Sequence, residues 1–268
     1  MTFTQECVIP VERERLWDFL MELPRVARCV PGVDTIEVVD ANAYRGSLRV
    51  QVGPIRLALQ GTMTVEERDR SAWRARMRAE ANDRRVGGAL AHADPNQDPP
   101  VTLLALGARV EIRGARGHRE LPLDEFFRDY YETALEPGEL VTAVTVPLAP
   151  AASGATFLKF LPRTADDYAT VAVAAIVTLE PDGERCREAR IALGAVGVTP
   201  LRARAAEAFL SGQRLSESLL QAAGEAVKGA VDPLSDHRGS AAYKREMTAV
   251  MVGRALTQAW EAARRPAE

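Results

Sequence analysis

Arg85-Val86-Gly87-Gly88-Ala89-Leu90-Ala91-His92-Ala93-Asp94-Pro95-Asn96-Gln97-Asp98-Pro99-Pro100 is the stretch where two styles of sequence meet. Upstream of it, apolar and polar residues alternate in period two among many charges. Downstream, the chain is rich in Ala and Leu, punctuated by Gly and Pro, and helical in its periodicity towards the end. The stretch is therefore both a junction and a candidate site. Paired glycines carry no Cβ, so a backbone there passes close to a ligand, and the Ala89-Leu90-Ala91 that follows can open a helical turn whose free N–H groups suit a phosphate. Asp98, one short loop later, offers a carboxylate to a sugar hydroxyl. A bare Gly-Gly also serves as a plain turn, so the pair alone does not decide between the two.

Working outward towards the N-terminus, Thr2 to Ile9 reads as a strand and Val11 to Leu20 as an amphipathic helix. Pro24 to Cys29 reads as a second, short helix broken by Pro31-Gly32. Four strands follow, Asp34 to Val39, Ala43 to Val52, Ile55 to Val65 and Ala72 to Ala79, separated by polar or Gly-Pro turns. In the last of them Trp73, Ala75, Met77 and Ala79 face one way and Arg74, Arg76 and Arg78 the other, which is the period of a half-buried strand. Glu66, Glu67, Asp69 and Glu80 offset those arginines, so the row reads as a solvated sheet face rather than a nucleic-acid surface.

Towards the C-terminus, Val101 to Leu106 reads as a short helix, and Ala108 to Arg113 with His118 to Leu121 as a strand pair. Leu123 to Phe127 forms a helical turn, Tyr130-Tyr131 a loop, Leu140 to Val146 a strand and Leu148 to Ser153 a linker. Thr156 to Leu161, Ala169 to Leu179 and Cys186 to Gly194 are strands, the first two set around Arg163-Thr164-Ala165-Asp166-Asp167-Tyr168. Three helices close the chain: Leu201 to Leu210, Glu217 to Ala230 and Ser240 to about Arg264. Tyr243, Met247, Val250 and Met251 form the apolar stripe of the last.

Composition bounds the function. The 268 residues make room for one large or two ordinary domains with a proper core. A hydrophobic content of 47%, a charged content of 26% and a net charge of −3 describe a globular chain with no field that recruits nucleic acid or an anionic membrane. Cys7, Cys29 and Cys186 are far apart and odd in number, which argues against a zinc or iron–sulfur site and for a reducing cytoplasm. His92, His118 and His237 share no helical face, so a histidine-built metal site is not expected. No secretory leader and no apolar run long enough to span a bilayer is seen.

Two resemblances add to this reading. Val11-Glu12-Arg13-Glu14-Arg15-Leu16-Trp17-Asp18-Phe19-Leu20, Arg25-Val26-Ala27-Arg28-Cys29-Val30-Pro31-Gly32, Tyr44-Arg45-Gly46 and Val52-Gly53-Pro54-Ile55 resemble the carbon monoxide dehydrogenase CoxG family, of the START/polyketide-cyclase-like superfamily. Members of that family continue into further strands and a long helix that grips the sheet, which this sequence does not show before its style changes. Val86-Gly87-Gly88-Ala89-Leu90-Ala91-His92-Ala93-Asp94-Pro95, Leu135-Glu136-Pro137-Gly138-Glu139-Leu140, Asp166-Asp167-Tyr168-Ala169 and Ser235-Asp236-His237-Arg238-Gly239-Ser240 resemble the FAD-binding medium subunit of molybdenum hydroxylases, from about residue 86 onward.

The implied architecture is α+β. Residues 1–85 form a partial helix-grip antiparallel sheet, 86–150 a partial FAD-binding subdomain of PCMH type, and 151–268 a three-stranded antiparallel sheet with a helical bundle. The implied cofactor is FAD, with its diphosphate on Val86, Gly87, Gly88 and Ala89, its ribose on Asp98, and contacts near the flavin on Val141 and Lys159. Ala89 stands where the family often has Asn or Ser. The family's first glycine-rich loop has no counterpart in residues 1–85, so several hydrogen bonds of roughly 1 kcal/mol each go unmade.

The implied role is electron transfer from an iron–sulfur small subunit to an acceptor, inside a hetero-oligomer whose molybdenum centre lies on a large subunit. The sequence itself shows no catalytic acid, base or nucleophile. The alternatives are a non-catalytic module that recruits or assembles such a dehydrogenase at the cytoplasmic face of the membrane, and a chimeric product with no activity.

Overall fold

A computed structural model describes residues 9–29, 33–52, 55–82, 84–161 and 168–265. The chain divides into two compact units, the first running to Asp83 and the second comprising almost entirely Arg84–Glu268.

In the first unit, helix α1 (Arg13–Met21) leads into α2 (Leu23–Ala27), whose Pro24 sits in the first turn, where a missing N–H costs nothing. Strands β1 (Val33–Val38), β2 (Ala43–Val52), β3 (Ile55–Asp69) and β4 (Arg74–Asn82) then form one four-stranded sheet in chain order. The strand expected over Thr2 to Ile9 lies, but for Ile9, outside the described residues. β3 outruns its expected end at Val65 because β4 pairs with it as far as Asp69↔Arg74, across a bulge between Val65 and Glu67. Trp73 is a turn residue rather than a strand residue. Its φ is 54°, and its ring meets Trp17 edge-on at 5.8 Å with the Arg13 guanidinium over it. Arg74, Arg76 and Arg78 are exposed, and Arg78 pairs with Glu66 at 2.9 Å. The core is small: Leu23, Tyr44 and Val65, with Ile36 and Met63 against them. Among the described residues of this unit the helices are α1 and α2, and neither has the length of a grip helix.

The second unit opens with α3 (Arg84–His92) and α4 (Asp98–Ala105). Strands β5 (Arg109–Gly114), β6 (Gly117–Pro122) and β9 (Leu140–Thr145) form an antiparallel sheet with β5 in the centre, and the short β7 (Phe127–Asp129) and β8 (Glu132–Thr133) pair with each other. Leu90, Val101, Leu104, Val110, Ile112 and Phe126 are buried together here.

A second sheet follows, in the order β10 (Ser153–Phe160), β11 (Val171–Leu179), β12 (Cys186–Gly194), β13 (Leu201–Arg202). Helices α5 (Arg204–Leu210), α6 (Glu217–Ala226) and α7 (Ala241–Ala263) complete the unit. β11 is apolar throughout because both of its faces are covered. Val171, Val173, Ala175 and Val177 join the core beneath α7, while Ala174 and Ile176 turn to the cluster that contains α4.

The sheet has four strands rather than three. Leu201 and Arg202, expected to begin a helix, pair with Leu193 and Ala192 instead. Glu207 of α5 explains this: it takes the Arg202 guanidinium on both carboxylate oxygens and also accepts the Ile191 N–H at 2.8 Å, so Arg202 is fixed on the sheet edge. α7 starts at Ser240, whose Oγ accepts from the Tyr243 N–H, a cap of the usual Ser type. Its backbone lies directly on Gly154 of β10, where any Cβ would run into the Ala259 carbonyl and the Ala263 nitrogen.

Candidate functional site

Gly87 and Gly88 are not in a loop. They lie inside α3, because Val86 and Leu90, four apart, turn the helix onto the core, and Leu90 is fully buried there. A Cβ built on either glycine meets no atom within 4 Å. Glycine costs roughly 1 kcal/mol relative to alanine inside a helix, and here no close packing offsets that cost. The pair leaves a bare strip of backbone near the start of α3, where the first amides lack intrahelical acceptors. Ala89 completes the strip, half-buried.

Asp98 is the first residue of α4, and Pro99 and Pro100 follow it. Two first-turn N–H groups are thus absent, so this helix end presents an acceptor rather than a cradle of donors. The Asp98 Oδ2 accepts from Lys159 Nζ of β10 at 3.1 Å. Its Oδ1 is buried and has no hydrogen-bond partner among the described residues. An unsatisfied buried carboxylate oxygen is costly unless a donor arrives. Val141 of β9 is half-buried against the same apolar cluster as Val86. The structure therefore joins Asp98 to Lys159 directly, and gives Val86 and Val141 a shared wall.

A group of residues not singled out from the sequence stands beside these. Asp94 is fully buried, and its Oδ1 accepts from the Asn96 backbone N–H at 2.9 Å and from Asn96 Nδ2 at 3.0 Å. The half-exposed Tyr168 donates its hydroxyl to the Asp94 carboxylate. That bond, with the charge behind it, holds the phenol above the ordinary tyrosine range. The Arg238 guanidinium carbon sits 5.4 Å from the centre of the Tyr168 ring. Tyr131, with φ 55°, donates its N–H to the Ala93 carbonyl and places its ring 5.1 Å from that of His92. The available signal was that these aromatics fall in loops, on no apolar stripe that a core would claim. Asp166 and Asp167, which precede Tyr168, lie outside the described residues.

A groove of about 670 Å³ between α6 and α7, lined by Gln221, Glu225, Arg254, Gln258 and Glu261 among others, shares no residue with this group. Among the described residues no cluster of three or more His, Cys, Asp or Glu is placed to hold a metal. No helix among them is long and apolar enough to cross a membrane. The bare glycine strip and the orphaned Asp98 oxygen fit a ligand that brings both a close-packed group and a hydroxyl donor, as a dinucleotide cofactor does.

Comparison with known families agrees. Residues 6–114 match the carbon monoxide dehydrogenase protein CoxG, residues 82–149 the FAD binding domain in molybdopterin dehydrogenase, and residues 156–259 the CO dehydrogenase flavoprotein C-terminal domain. The first two matches overlap over 82–114, and the packing assigns the described residues from Arg84 onward to the second unit. The chain is thus an α+β fusion that resembles CoxG in its first part and the FAD-binding medium subunit of molybdenum hydroxylases in the rest.

Among its relatives, the 6-hydroxypseudooxynicotine dehydrogenase complex subunit alpha of Paenarthrobacter nicotinovorans is 40% identical over 179 residues, 67% of this chain and 60% of that protein. The carbon monoxide dehydrogenase medium chain of Afipia carboxidovorans is 38% identical, over 65% of this chain and 59% of that one. The solved structure of reconstituted CO dehydrogenase from Oligotropha carboxidovorans superposes with a TM-score of 0.63 at 37% identity, covering 66% of this chain and 61% of the other. The chain spans about 60% of the length of the curated relatives it matches.

Proposed function

We propose that this chain is the FAD-binding, electron-transferring component of a molybdenum hydroxylase of carbon monoxide dehydrogenase type, acting in the cytoplasm. Electrons enter from an iron–sulfur small subunit and leave to an acceptor, while a molybdenum-containing large subunit performs the substrate chemistry. The observation that carries this reading is the glycine strip of α3. Two helix-weakening residues stand side by side with open space above them, and only a ligand explains both. FAD, when bound, supplies the redox chemistry, and the protein supplies position and electrostatics.

The residues divide that work. Gly87 and Gly88 admit the diphosphate to the backbone. Asp98, held by Lys159, receives a ribose hydroxyl on its free oxygen, and Val86 and Val141 form the apolar wall. The loop that completes the diphosphate site in the family has no counterpart in this sequence, so affinity is expected to be lower than a full cradle gives, about tenfold for each 1.4 kcal/mol of bonding unmade.

The test is the visible absorption spectrum of the purified chain before and after incubation with FAD and desalting. Retained flavin bands support the proposal. A colourless chain that stays colourless with FAD, and that captures neither partner subunit, overturns it.

A further inference from the structure

The position of Tyr168 traces back to α7 through a short run of charges. Lys244, almost fully buried, places its Nζ 2.9 Å from Asp236 Oδ2. Asp236 in turn receives the Arg238 backbone N–H on Oδ1 at 2.8 Å and has the Arg238 guanidinium 3.6 Å from Oδ2. Burial alone would push the Asp236 carboxyl up, but the Lys244 bond and the two cations outweigh it and hold it below the usual range. Asp236 and Gly239 exchange backbone hydrogen bonds, so the turn between them is closed, and the Arg238 carbonyl accepts from Thr170 Oγ1 two residues beyond Tyr168. The guanidinium that lies over the Tyr168 ring is therefore fixed through Asp236 to a buried ammonium.

We infer that Arg238 is a positioning residue. The chain Lys244–Asp236–Arg238 orients Tyr168 so that its hydroxyl rests on Asp94 and its ring forms a platform for the planar part of the cofactor. This inference rests on the flavin reading above and deepens it. The charged and titratable groups that face Tyr168 are Asp94, Tyr131 and Arg238. Arg238, as a nearby cation, favours the phenolate, and Asp94 opposes it. The two possible roles of Arg238 thus predict opposite signs. If Arg238 acts only as a charge, its removal pushes the Tyr168 phenol further up. If it positions the ring, its removal frees the hydroxyl from Asp94 and the phenol falls back towards the ordinary value of about 10.

The experiment is a phenolate absorbance titration of the full chain without FAD, in which the difference between the unmodified chain and Tyr168→Phe isolates Tyr168. The same difference is taken in the backgrounds Arg238→Gln and Lys244→Met. Lys244→Met replaces a buried cation by an apolar side chain of similar volume, and it tests the chain one step further from the ring should Arg238→Gln fold poorly. Both backgrounds are expected to lower the Tyr168 titration. A rise or no change in both overturns the inference.

The second readout is the fluorescence of added FAD. The unmodified chain is expected to quench it, and Arg238→Gln to quench it at least about twofold less while FAD is still retained on desalting. Equal quenching at equal retention also overturns the inference. Because the titration is read without cofactor, loss of FAD binding altogether sinks the flavin reading and leaves the orientation of Tyr168 separately decided.

Discussion

Lys159 Nζ lies 3.1 Å from Asp98 Oδ2, and this single ion pair ties the edge strand β10 of one sheet to the first turn of α4, which packs beside the other sheet's cluster. The pair is largely but not fully withdrawn from water, with 18% and 30% of the two side chains exposed. Its net contribution to stability is therefore modest, below about 1 kcal/mol. Its effect on the ligand is larger, because Lys159 fixes the rotamer that leaves Asp98 Oδ1 pointing at nothing. Asp98→Ala is expected to weaken FAD binding by about tenfold, and Lys159→Met by a similar factor, while each shifts the denaturant midpoint only slightly. Flavin fluorescence titration beside urea unfolding checks both halves. A large loss of stability with unchanged flavin affinity contradicts the assignment.

Gly87 and Gly88 predict the opposite trade. Because no atom lies within 4 Å of an added Cβ, Gly87→Ala or Gly88→Ala removes a helix-weakening residue without a clash. Each variant is expected to gain up to about 1 kcal/mol of stability. Each should also lose flavin, by about tenfold or more, since the methyl group occupies the strip that the ligand approaches. Thermal unfolding and flavin retention measured on the same samples decide this. Unchanged retention with raised stability would show that the strip serves no ligand.

Much of this was legible in the residues, for physical reasons that differ by element. β2 and β12 appear over the ranges read from the sequence, because alternation or an unbroken apolar run bounded by turn residues leaves little choice. Leu201 and Arg202 misled because helical spacing runs continuously into α5, and what separates them from it is a tertiary event, the capture of Arg202 by Glu207. Gly87-Gly88 misled in the same way. Local chemistry favours a turn, and only the anchoring of Leu90 in the core makes the segment helical. The link between Asp98 and Lys159, 61 positions apart, had no local signal at all, and neither did the hold of Arg238 on Tyr168.

Gly154 offers a sharper test of the packing. Its Cα faces the α7 backbone so closely that alanine would meet the Ala259 carbonyl and the Ala263 nitrogen, neither of which can swing aside as a side chain does. Gly154→Ala is expected to destabilise the second unit by about 3 kcal/mol, through displacement of α7 from β10 and β11. Thermal unfolding monitored by far-UV circular dichroism measures it. A neutral result would mean that α7 does not sit on β10 at this distance.

Glu139 carries the prediction for pH. Its carboxylate receives Arg119 Nη2 at 2.6 Å and Nε at 3.0 Å, and it also accepts the Glu136 backbone N–H at 2.8 Å. The hydrogen bond from Arg119 is the largest cause that holds the Glu139 carboxyl below the ordinary glutamate value, against an opposing effect of burial. A carboxylate whose value is lower in the folded chain than in the unfolded one stabilises the fold at every pH above the unfolded value. That contribution is lost as pH falls from the unfolded value, about 4.3, through the lower folded one. Glu139→Gln should therefore be less stable than the unmodified chain at neutral pH, and the gap should close on acidification through that window. Melting temperatures of both proteins across the acid range test it. A gap that stays constant with pH would show that the Arg119 pair acts through shape alone, and a gap that widens in acid would reverse the assigned sign.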